Sequence, residues 1–186
     1  MEEIENLMAQ EEKKTSSSNY VWQPIIAMLF FGVALFFINW VAKSPMLWVA
    51  CSGALATSAY IVFVLPTSPA AAWYNILAGY VFAVVFGELL HWLAILFEWI
   101  VAHTFTLPSV HVYEFTAFIG LLLIIWLMLL FRIAHPPAII ITLAMMVVSG
   151  HYLLLVVTLA AAVLLTILKV ILAPVLRNLV GAPYQQ

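Results

Sequence analysis

Charge is what this sequence has least of. Its 186 residues carry six basic and eight acidic side chains, 8% of the total, where an ordinary soluble domain has roughly 25%. So few ionised groups cannot cover a water-facing surface of this size, which excludes a soluble enzyme. The formal net charge of −2 leaves no basic face to neutralise phosphates, so nucleic acid is excluded as a partner. The single cysteine, Cys51, sits in an apolar run. It permits no intramolecular disulfide and no cysteine-based metal centre, and reads as a small packing residue. Nucleophile elbows, phosphate-binding glycine loops, metalloprotease helices and paired-cysteine motifs are missing too. The chain is therefore not expected to be an enzyme, and neither a cofactor nor a metal is called for.

What is present is apolar: 67% of the residues are hydrophobic. Lipid is the solvent in which that composition is stable, because hydrocarbon needs no polar covering. The expected fold class is all-α, a polytopic transmembrane helix bundle whose main partner is the lipid bilayer. Six apolar stretches cover about 24–42, 46–66, 73–102, 114–133, 136–149 and 151–176. At 1.5 Å per residue against hydrocarbon about 30 Å thick, the first, second and fourth are single spans. The third is longer than one crossing. The fifth reaches only about 21 Å and is either short or re-entrant.

Three divisions follow. Residues 1–20, with Glu2, Glu3, Glu5, Glu11, Glu12, Lys13 and Lys14, read as a solvated and mostly disordered tail. They lack the basic start of a signal peptide. Residues 21–178 form the membrane domain and 179–186 a short C-terminal tail. With six crossings and a cytoplasmic amino terminus, Lys13, Lys14, Arg132, Lys169 and Arg177 fall inside and Lys43 alone outside, as the positive-inside bias requires. The expected location is the inner (plasma) membrane, multi-pass. A re-entrant fifth stretch would erase that bias.

Proline punctuates the membrane region twice. Pro66-Thr67-Ser68-Pro69 separates the second and third stretches, and His135-Pro136-Pro137 the fourth and fifth. Proline suits a first helical turn because its missing N–H is not needed there. Thr67 or Ser68 can cap one helix, and His135 stands in the corresponding place before the other. Both loops open on one side in the six-span topology, which raises the reading of two related halves in parallel orientation. Facing helix amino ends carry free N–H groups and partial positive charge. With Arg132, His135, Pro136, Pro137, Thr67, Ser68 and Asn75 they make a candidate site for a small anion. The alternative is a rigid turn with His135 as cap.

The run Arg132-Ile133-Ala134-His135-Pro136-Pro137-Ala138 resembles the signature of the HPP family of integral membrane proteins. Leu65-Pro66-Thr67-Ser68-Pro69, followed by Asn75 and Gly79, is similar to that family's first block, and order and spacing agree over about residues 24–176. The resemblance implies a transporter-like protein, and its plastid and cyanobacterial branch implies nitrite as solute. A weaker likeness is to fusaric-acid-resistance and aromatic-acid exporters.

Ionisable groups inside a membrane are costly. On the third stretch Tyr80, Glu88, His91 and Glu98 project within about 80° of one another. Tyr80, Glu88 and His91 are candidates for a proton relay or pore lining, or else for helix-to-helix hydrogen bonds. Gly79, Ala83 and Gly87 lie four apart on an adjacent face, where small residues admit a neighbouring helix. Gly53 with Thr57, and Ala54 with Ser58, give the second stretch a similar face, so these two helices are expected to pack together. Glu98, His103, His111 and Glu114 flank a loop but lack zinc-ligand spacing. Two functions of different class remain: a carrier or channel for a small solute such as a monovalent anion, or a non-transporting scaffold or accessory subunit. Self-association into a homo-oligomer is open under both.

Overall fold

The structure, a computed structural model, describes residues 2–104, 109–148 and 152–180, with side-chain surroundings for 18–101, 115–148 and 152–180. Six α-helices make up the described residues: α1 (Glu2–Val41), α2 (Pro45–Val64), α3 (Trp73–Thr104), α4 (Ser109–Leu130), α5 (Pro137–Val147) and α6 (Tyr152–Leu172), with a 3₁₀ turn at Pro69–Ala71. In hydrocarbon every backbone N–H and C=O must find a partner inside the protein, and the helix supplies one for each. Among the described residues four segments are long and apolar enough to cross a membrane alone: Ser18–Val41, Pro45–Val64, Trp73–Val101 and Tyr152–Leu172. The apolar parts of the other two, Phe115–Leu130 and Pro137–Val147, are shorter.

Helix α1 begins at Glu2, whereas the polar leader was expected to lack regular structure. Leucine, methionine, glutamate, glutamine and lysine are all good helix formers, and early glutamates favour the positive end of the helix dipole. The leader's side chains lie outside those described.

The short helix α5 occupies the middle of the bundle and packs on α2, α3 and α4, its largest interface being with α3. Pro137, Ala138, Ile141, Thr142, Ala144, Met145 and Met146 are buried on it. Glycines make room. A β-carbon on Gly87 would come 2.9 Å from Met145 Cβ, and one on Gly120 2.9 Å from Met146 Sδ. The small face of α3 thus receives α5 and not α2 as expected. Helix α2 turns its own face, with buried Ala54 and Ser58, to the same central helix. A Cβ on Gly53 would meet nothing within 4 Å. Small-residue spacing identifies a close-packing face but does not name its partner.

Direction follows from contacts at the helix ends. His91 Nδ1 donates to Met146 O near the end of α5 (2.7 Å), and Tyr152 Oη donates to Glu88 at the start of α6 (3.3 Å). Glu88 and His91 are one turn apart, so α5 arrives and α6 departs at one level. At the far end Lys169 Nζ donates to Pro66 O (2.6 Å). Gln23 holds Arg177, accepting from its N–H (3.0 Å) and donating to its carbonyl (2.9 Å). The proline loops, the start of the first span and the end of the last therefore share one end of the bundle. With helices of 11 and 32 residues following the two proline loops, any halves are unequal.

Candidate functional site

Two proline loops meet at this end, and Asn75 joins them. Its amide Nδ2 donates to Pro69 O (2.7 Å), while its Oδ1 accepts from the Ala134 N–H (3.2 Å). The side chain is 1% exposed, so the bridge is internal. On the first loop Thr67 is exposed. Its Oγ1 accepts from Asn178 Nδ2 (2.6 Å), and Leu179 N–H reaches Val64 O (2.9 Å). The segment after α6 therefore seals that loop.

His135 is fully buried and faces inward. Its Nδ1 lies 3.1 Å from Ala70 O, and its Nε2 lies 2.9 Å from Ser58 Oγ. A carbonyl can only accept, so Nδ1 carries the proton and donates. The residue sits in the loop between α4 and α5, and burial pushes its pKa down to about 4, since imidazolium there would lose its hydration. The neutral ring can accept at Nε2, and the single Ser58 hydroxyl proton is shared between that nitrogen (2.9 Å) and Ala54 O (2.8 Å). Tyr80 Oη, 2.9 Å from the same oxygen, donates to it. The result is a buried polar cluster of Tyr80, Ser58, His135 and Ala70 O, drawn from α3, α2 and both loops.

Capping does not follow the sequence expectation. The residue before α5 is Pro136, with no side-chain cap, and Ser68 before the 3₁₀ turn makes none either. Pro136 and Pro137 have no N–H to offer, and the N–H groups of Ala138 and Ile139 go to His135 O (3.1 Å) and Pro136 O (3.0 Å). The opening turn of α5 thus presents no free donor from residues 136–139, a consequence of two consecutive prolines. Pro136 is exposed and Pro137 buried. Ser68 Oγ is buried without a partner.

Arg132 ends α4. Its φ of 55° is left-handed, its N–H bonds Leu129 O (3.1 Å), and Ile133 N–H bonds Met128 O (2.8 Å). That is the Schellman pattern, with arginine where glycine is commonest. The side chain is exposed.

The α3 stripe divides in two. Tyr80 joins His135, whereas Glu88 and His91 serve α6 and α5 farther along α3, about 12 Å or more away along the axis. Glu88 Oε2 is buried without a partner. His103, His111 and Glu114 lie outside the described side chains.

Gln23 and Lys169 were missed as structural anchors. The signal for Gln23 was available: a polar side chain entering an apolar span beside Pro24 must find partners inside the protein. It is 0% exposed, and it also donates to Phe63 O.

These features define a multi-pass helical membrane protein whose polar centre is built from its two proline loops. The family model for the HPP transmembrane region matches residues 12–185, and the chain belongs to that family. No curated protein and no solved structure matches it.

Proposed function

We propose that this chain carries a small solute across the membrane, most consistent with a monovalent anion such as nitrite. The supporting observation is the Tyr80–Ser58–His135 cluster, which places polar groups inside an otherwise apolar bundle at the family's own tripeptide. Ionisable groups inside a membrane bundle cost energy and are functional-site candidates by default. Around a short interior helix they resemble the broken-helix sites of transporters. The proline-loop end also carries Arg132, Lys169 and Arg177, while the described carboxylates Glu88 and Glu98 lie on α3 away from it. We place that end in the cytoplasm, because it gathers the basic residues.

The arrangement is closed. Opening it requires His135 to leave Ala70 O and Ser58, and Asn75 to release one loop. The experiment is uptake of nitrite, nitrate and chloride by proteoliposomes containing the wild type and His135→Ala. Wild-type uptake above empty liposomes, lowered by the substitution, is expected. The second reading, a scaffold, is favoured by the internal satisfaction of His135 and Asn75. Folded protein with no flux for any solute of the panel would select it.

A further inference from the structure

Where the first span begins and the last one ends, a cavity of about 480 Å³ opens between α1 and the segment after α6. Ser18, Asn19, Trp22 and Arg177 line it together with apolar Ile26 and Leu172. Asn19 is 4% exposed. Its Oδ1 accepts from Trp22 Nε1 at 2.7 Å, and an indole N–H can only donate, which fixes the orientation of the amide. Asn19 Nδ2 is left buried and without a hydrogen-bond partner. Buried donors are nearly always satisfied, so an orphan in a cavity wall points to a missing acceptor. The main chain of Arg177 is pinned on both sides by Gln23, and the residue lines the cavity. No carboxylate is among the described lining residues.

We propose that this cavity binds the phosphate headgroup of an anionic phospholipid. Three features carry the assignment. The Asn19 amide and the Arg177 guanidinium supply donors, and guanidinium matches phosphate oxygens bidentately. Ile26 and Leu172 belong to the spans themselves and offer an apolar wall to the first part of an acyl chain. The position at the ends of two spans is the depth at which a headgroup sits. Inorganic phosphate shares the head chemistry but has no use for the apolar wall. The lipid is therefore the better occupant.

Native mass spectrometry of the full chain in detergent tests this, with phosphatidylglycerol, phosphatidylcholine and inorganic phosphate as probes. The wild type is expected to retain one phosphatidylglycerol about tenfold more strongly than phosphatidylcholine, the scale of one charge-assisted contact. Asn19→Asp keeps the acceptor for Trp22 but replaces the donor with a negative charge. It should abolish that preference, and Arg177→Gln, by removing the charge-assisted contact, should likewise bring the two lipids to about equal retention. Arg177→Lys, which keeps the charge, should retain part of it, separating loss of the site from loss of the fold. Lys43→Gln, at the α1–α2 turn, should leave it unchanged. Equal retention of both lipids by the wild type, an undiminished preference in Asn19→Asp or Arg177→Gln, or displacement of lipid by equimolar phosphate would overturn the proposal.

Discussion

Gly79 lies against His135 so closely that a β-carbon on the glycine would stand 2.8 Å from His135 Cβ and 3.1 Å from its Cδ2. The imidazole reaches Ser58 and Tyr80 only because nothing projects from α3 at that point. Gly79→Ala should therefore displace the loop, at a cost of about 1–3 kcal/mol for overpacking, and Gly87→Ala should do the same to Met145. Gly53→Ala, with open space around it, should be neutral. Thermal melting in detergent checks all three, and equal melting temperatures would mean that α5 does not pack as described.

His135 should make stability depend on pH. Its folded pKa is lowered to about 4 from an ordinary 6.5, so between those values the unfolded chain takes up a proton that the folded chain refuses. The unfolded state binding more protons means that stability rises with pH. This contribution is complete above about 6.5 and is lost as pH falls toward about 4. Melting temperature measured from pH 7 to pH 4 should fall more steeply for the wild type than for His135→Gln. Parallel curves would show that His135 is not the buried neutral group.

Much of this architecture was legible beforehand. Two proline punctuation points on one side of a six-helix topology implied that the loops could meet, and Asn75 joins them. The charge bias chose the arrangement in which α5 runs away from the loops and α6 returns, as the contacts of Met146 and Tyr152 with α3 show. Helical angle failed for the α3 stripe, because groups sharing a face can serve different neighbours at different depths. Tyr80 and Glu88 are separated by two turns and never meet. The free N–H groups expected at the α5 amino end also failed, since they assume non-proline residues there. The Asn19–Arg177 cavity depends on contacts between residues more than 150 positions apart, which no local pattern encodes.

Glu88 and Tyr152 should be coupled. Their 3.3 Å hydrogen bond links α3 to α6, and hydrogen bonds of this kind between membrane helices average about 0.6 kcal/mol. A double-mutant cycle with Glu88→Gln and Tyr152→Phe should recover a coupling of that order in unfolding free energy. Flux on the same proteins separates two roles for the carboxylate. A relay predicts altered pH dependence for Glu88→Gln at nearly unchanged expression, whereas a structural link predicts normal flux with lowered stability. Zero coupling would mean that the α6 amino end does not sit beside Glu88.

Arg132 separates backbone geometry from charge. Its left-handed φ of 55° costs a β-carbon-bearing residue about 1–2 kcal/mol, and glycine occupies that conformation without penalty. Arg132→Gly should therefore raise the melting temperature even though it deletes one of the few cations of the chain. Arg132→Gln removes the same charge but keeps the strain, so its stability should stay near that of the wild type. If the guanidinium helps to gather anions at the mouth, both variants should lose uptake equally while differing in stability. Should Arg132→Gly instead melt lower than wild type, the exposed side chain is contributing packing or headgroup contacts, and the cap is not where the energy lies. Uptake unchanged in both would remove Arg132 from the proposed anion path and leave it as the residue that turns α4 toward His135.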